Sequence, residues 1–315
     1  VTTRPWLRPA ITAVFYVLLV GFLGYYLIFQ VPWGQLSRLA FTPVWLLGAL
    51  VLALAFRYWQ TFIWITVLRG LGARGVRMDA ELTYVYAKSW MGRYIPGTAP
   101  WILGKIYFAS QHGVSKTKLG VGSLLEAAIQ IAVLLSTSSI MLFLDPRLNV
   151  PRYEWLRPAM IAVVVLCAVA LIPRVFNWCM ALAFRILRRP ALARENYANA
   201  RTILTATAQY VVGAFLSGGS LFFILKSLYP SLAFSDAFFV IASGNLAGAA
   251  SMLVVIAPSG VGVREGIQFA LLAVVMPVAI AAIAVIVTRL WGIAMDLLFF
   301  GAGRIALTIS RRRAR

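Results

Sequence analysis

Histidine, cysteine and acidic side chains are scarce in this chain of 315 residues, which holds one His, two Cys and nine Asp plus Glu. With His112 alone, a histidine metal centre or a buried Ser-His-Asp triad lacks its parts, so neither a metal site nor a catalytic residue is expected. Cys167 lies in an apolar run and Cys179 beside a basic loop, and the two imply no disulfide framework. Polar stretches are short as well. None longer than about 30 residues could form a soluble domain of its own, so residues 1–315 are expected to be one integral membrane domain. No nucleotide-binding motif occurs and no cofactor is implied, so any energy must come from a gradient, from downhill flow or from a partner.

What the chain has instead is apolar length. It is 62% hydrophobic with a mean hydropathy of +0.87. Runs at about 11–29, 43–67, 119–144, 156–172, 202–228 and 279–303 match the roughly 20 helical residues that cross a ~30 Å hydrocarbon layer. The first run is followed by no small-residue cleavage site and is expected to be a retained helix. The 29 Lys plus Arg give a formal net charge of +20. In a polytopic chain this excess reads as loop charge that fixes orientation, with some attraction to anionic headgroups, and not as a nucleic-acid surface. Arg4, Arg8, the second loop (Arg69, Arg74, Arg77) and the six arginines of 174–201 place both termini in the cytoplasm.

Two stretches interrupt the apolar pattern, "GRYIPGTAPW" at 92–101 and "APSGVGVREG" at 257–266. The pieces flanking the first are too short to cross alone, so 80–111 reads as a re-entrant helical hairpin with Pro96, Gly97 and Pro100 at its apex. Taking 236–276 as a second hairpin keeps the tail "RRRAR" on the cytoplasmic side, as the charge rule asks. The expected fold class is therefore an all-α integral membrane protein with six spanning helices and two re-entrant helical hairpins. Its halves, 1–144 and 156–303, form a candidate inverted repeat, the layout in which broken segments of secondary transporters meet near the midplane.

Irregular backbone at membrane depth is tolerated where it is buried in protein or lines a wet cavity, which makes both apices candidate substrate-binding walls. In the first apex Arg93 and Tyr94 precede Pro96 and Gly97, with Lys88 and Lys105 a few turns away, either as further contacts or as cations snorkelling to the interface. In the second, Pro258, Ser259, Gly260 and Gly262 form a flexible turn followed by Arg264 and Glu265. Glycines let backbone N–H groups approach a ligand, a helix starting near 263 would aim its positive end at the turn, and Arg93 and Arg264 carry forks that match phosphate. The plainer alternative pairs Arg264 and Glu265 in ion pairs that hold the hairpin. Glu126, Arg289 and Asp296 are ionisable groups within spans, read as proton-coupling groups or as a salt bridge to Arg289. The small residues of "IASGNLAGAAS" at 241–251 read as close helix packing, with Asn245 facing a cavity or a neighbouring helix. Trp59, Trp64, Trp90 and Trp101 read as interfacial anchors.

Together these stretches resemble the flippase-like membrane family typified by the transmembrane region of lysylphosphatidylglycerol synthase, over nearly the whole chain. The family's Pro-Gly-Gly-Leu-Gly-Val-Arg-Glu-Gly motif is matched from Pro258 to Gly266, departing at Ser259 and Val261. Its Gly-Arg/Lys-Tyr-Ile/Leu-Pro-Gly motif is matched from Gly92 to Gly97, followed by Trp101, Gly104 and Lys105. The resemblance implies a non-enzymatic lipid flippase or scramblase of the bacterial cytoplasmic membrane. Its partners would be membrane lipids, either phospholipids (anionic or aminoacylated) or polyprenyl-phosphate-linked lipids, and a lipid-modifying enzyme. Two other readings stay open: a polyprenyl-phosphate-dependent glycosyltransferase, disfavoured because "QVPWGQLSRLAFT" at 30–42 has no carboxylate, and a non-transporting accessory subunit.

Overall fold

A computed structural model describes residues 41–95, 99–148, 154–186, 193–254 and 262–313, together with four helical positions at 14, 17, 21 and 25. The span expected at 11–29 and the apex residues Pro96, Gly97, Pro258, Ser259 and Gly260 lie outside the described residues or almost wholly so. No strand occurs among the described residues. Among the described residues ten helices of ten residues or more follow one another: α1 (Pro43–Gly70), α2 (Ala80–Trp90), α3 (Ala99–Ser110), α4 (Lys116–Leu144), α5 (Leu156–Ala170), α6 (Pro173–Ile186), α7 (Ala200–Leu228), α8 (Ala237–Leu253), α9 (Val263–Val275) and α10 (Val278–Arg313).

Among the described residues five stretches are long and apolar enough to cross a membrane, those of α1, α4, α7, α8 and α10, and the pair α5 and α6 makes a sixth if it counts as one bent span. This is a multi-pass membrane protein. Its surface carries Leu103, Ile140, Leu166, Leu204 and Val278 at half exposure or close to it and above, where lipid tails can meet them. Starts and stops follow local chemistry. Pro43 opens α1 where its missing N–H costs nothing. Asp79 accepts the N–H of Leu82 at 2.8 Å to cap α2, and Asn199 accepts that of Thr202 at 2.8 Å to cap α7.

Two departures from the sequence reading stand out. Residues 173–186, expected to belong to a basic loop, form α6, which turns 76° from α5. Pro173 restarts the helix, and Phe176 and Met180, one turn apart, pack into the core of Ile63, Leu125, Ile129 and Ile203, leaving Arg174, Trp178 and Arg185 outside. Second, α8 reaches spanning length, whereas the 13 residues of α9 amount to about 20 Å, so the two legs of the expected 236–276 hairpin are unequal.

Helix α1 lies along α7, α4 packs on α8 as α10 packs on α2, and α2 with α3 and α4 is matched by α8 with α9 and α10. Since lipid is as apolar as leucine, these contacts rest on close approach and interhelical hydrogen bonds. Small residues supply the approach: a Cβ on Gly244 would lie 2.4 Å from Leu221 and one on Gly218 would lie 2.5 Å from Ile241, so the stripe at 241–251 is a packing face against α7.

Candidate functional site

After α2 the chain tightens into a 3₁₀ turn at Met91–Tyr94 and breaks before α3. A Cβ on Gly92 would sit 3.0 Å from the backbone N and Cα of Trp101, so glycine is what lets the turn press against the start of α3. This aims Trp90, Arg93 and Tyr94 inward. On the other side, Gly262 adopts φ of 90° and its N–H donates to Glu265 Oε2 at 2.7 Å, which starts α9 and turns Arg264 inward.

Between these segments lies a cavity of about 210 Å³, walled by residues of α1, α2, the 3₁₀ turn, α3, α4, α7, α8, α9 and α10. Four arginines reach it: Arg57, Arg93, Arg264 and Arg289. Asp296 is the carboxylate in its wall and is already committed. It accepts Arg57 Nε at 2.7 Å and Trp90 Nε1 at 3.2 Å on Oδ1, and Tyr94 OH at 2.6 Å on Oδ2, with Arg93 Nη1 3.8 Å from Oδ2. Arg57 also donates to the carbonyls of Ala53 and Gly292 at 2.9 and 3.0 Å, so this hub ties α1, α2 and the broken turn to α10. Arg289 Nη1 lies 3.2 Å from Glu265 Oε1. Arg264 forms no ion pair among the described residues and is within electrostatic reach of both Arg93 and Arg289. Four cations face two carboxylates. In a low-dielectric setting such a surplus repels itself and is relieved by an anion.

Arg93, Tyr94 and Arg264, nominated from sequence as substrate contacts, lie around one cavity together with Arg289 and Asp296, which the sequence nominated separately as charges within spans. Several expectations are corrected. Lys105 does not line the cavity and does not snorkel: it is fully buried, ion-paired with Glu126, and its Nζ lies 4.4 Å from the Trp101 ring centroid and 4.7 Å from that of Tyr86. Burial of an ammonium needs such a partner, and Glu126 provides it, away from the cavity. The salt bridge expected between Arg289 and Glu126 or Asp296 does not form. Arg289 turns to Glu265, because α9 packs against α10, while Asp296 is held by Arg57. Glu265 and Gly262 act from behind the wall. Trp64, Trp90 and Trp101 are buried, not interfacial; Trp90 and Trp101 line the cavity.

The sequence reading missed Arg57 and Gln60. The signal was present, since a lone arginine and a glutamine one turn later inside an apolar span must face protein or a wet cavity. Gln60 is 2% and Asn245 3% exposed, and both open on the cavity. The Gln60 carboxamide and the Asn245 amide nitrogen have no hydrogen-bond partner among the described residues.

Comparison of the chain with family models, with curated proteins and with solved structures finds no match. Function has to be argued from this cavity.

Proposed function

We propose that the protein is a lipid translocase, a flippase or scramblase that passes a phosphate-bearing headgroup between leaflets through this cavity. The observation that carries the reading is the convergence of Arg93 and Arg264, one from each interrupted segment, with Arg289 on one buried space. Guanidinium forks suit phosphate oxygens, and an anion there offsets the repulsion among them. The acyl chains stay in the bilayer while the headgroup occupies the protein.

The paired packing of α1 to α4 and α7 to α10 supports the inverted-repeat reading, with α2–α3 and α8–α9 as re-entrant or broken elements. At about 17 Å, α2 covers roughly half a hydrocarbon layer. Rocking one half against the other would expose the cavity to each leaflet in turn. Bacterial cytoplasmic membrane placement, cytoplasmic termini and kinship with the flippase-like family belong to the same proposal.

The test is reconstitution of the pure protein into liposomes carrying headgroup-labelled phospholipids or polyprenyl-phosphate lipids, with leaflet exchange followed for wild type, Arg93→Ala and Arg264→Ala. Wild type accelerates exchange of one lipid class, and each variant loses most of it while remaining folded. Exchange unchanged in both variants would sink the phosphate site.

A further inference from the structure

The charge inventory of the cavity says more about the headgroup than that it carries phosphate. Every carboxylate near it is engaged: Asp296 by Arg57, Trp90 and Tyr94, and Glu265 by Arg289 and the Gly262 N–H. Glu126 is sealed against Lys105 outside the wall. A cationic headgroup, such as a lysyl ester or an ethanolamine, would meet a surplus of arginine, four against two carboxylates that already hold partners. Two neutral carboxamides do stand ready. Gln60 and Asn245 are both more than nine-tenths buried, open on the cavity and hold amide atoms without partners among the described residues. Buried polar atoms left unpaired are costly, and a ligand that satisfies them recovers that cost.

Resting on the translocase reading, we propose that Gln60 and Asn245 form the headgroup-reading part of the site. The arginines hold the phosphate and the two carboxamides hydrogen-bond an uncharged hydroxyl-bearing group esterified to it. The site thereby accepts a polyol phosphate lipid and rejects cationic, aminoacylated headgroups. Gln60 sits one turn beyond Arg57 on α1, and Asn245 lies on the α8 face whose glycines Gly244 and Gly248 also line the cavity. On that face a Cβ at Gly248 would meet nothing nearer than Leu134 at 3.8 Å.

The full chain in neutral detergent is titrated with dihexanoyl phosphatidylglycerol, phosphatidylmethanol, phosphatidylethanolamine and lysyl-phosphatidylglycerol, and with free glycerol phosphate, following fluorescence of the cavity residues Trp90, Trp101 and Trp291. Phosphatidylglycerol binds about tenfold tighter than the ethanolamine and lysyl forms. Its advantage over phosphatidylmethanol, which has equal charge and no hydroxyl, disappears in the Gln60→Leu, Asn245→Leu double variant. Asn245→Asp keeps the side-chain size and turns the preference toward the lysyl form, which carries the test if the double variant fails to fold. Equal or tighter binding of the lysyl lipid by wild type overturns the assignment. Free glycerol phosphate binding as well as the lipid keeps the headgroup chemistry and overturns its lipid source. Selective binding without leaflet exchange in vesicles supports this inference and removes the translocase reading, whereas no binding of any probe overturns both.

Discussion

Two ion pairs each join a short helix to the next long one and are used in opposite ways. Lys105 on α3 meets Glu126 on α4, and Glu265 on α9 meets Arg289 on α10, with the signs exchanged. The first pair is shut inside protein, with side chains 0% and 1% exposed, and aromatic rings crowd its ammonium. In the second, Arg289 lines the cavity at 4% exposure, and Glu265, 24% exposed, holds it from behind the wall. The same link between a short helix and the next long one is thus a strut in one pair, and in the other it holds an arginine of the cavity wall. What separates them is the cavity: a sealed pair can only hold helices together, whereas an arginine that lines the cavity can also face a ligand.

That difference can be broken by mutation. The largest effect belongs to the strut. Lys105→Ala leaves Glu126 as an uncompensated buried acid and costs about 3–5 kcal/mol, seen as a lower unfolding temperature in detergent; the double variant Lys105→Met, Glu126→Gln recovers most of it. Asp296→Ala strands Arg57 and frees the Tyr94 turn, with a loss of about 3 kcal/mol by the same measurement. Gly92→Ala forces the turn off the Trp101 backbone and costs about 1–3 kcal/mol. Glu265→Gln weakens the start of α9 by about 1 kcal/mol and leaves Arg289 more available, so anion binding tightens severalfold. Arg264→Ala is the smallest in stability, within about 0.5 kcal/mol, yet lowers phosphate-lipid affinity about tenfold or more. If Arg264→Ala destabilises as much as Lys105→Ala, the contrast between strut and wall is wrong.

Much of the scaffold was legible from apolar length, because a bilayer leaves a chain few options besides helices of about 20 residues. The break near Tyr94 was equally plain from its Pro and Gly residues. Helix α6 was hidden by its charges: Arg174 and Arg185 read as loop when their spacing leaves one face, Phe176 and Met180, apolar. For the site, Arg93 could be nominated because it precedes a glycine-marked turn and Arg264 because it follows one. Lys105 was nominated for lying a few turns from the first and turned out to be sealed, since no local pattern tells which way a helix in a bundle is rotated.

The sequence by itself determined the solvent of this protein, its helical class, the two interruptions and the surplus of arginine. Only the tertiary structure decided which charges meet. Partner choice among buried ions depends on contacts between residues more than two hundred positions apart, as between Arg57 and Asp296. Such pairs are selected by the high cost of leaving either member alone in a low dielectric, and not by anything written in the neighbouring residues.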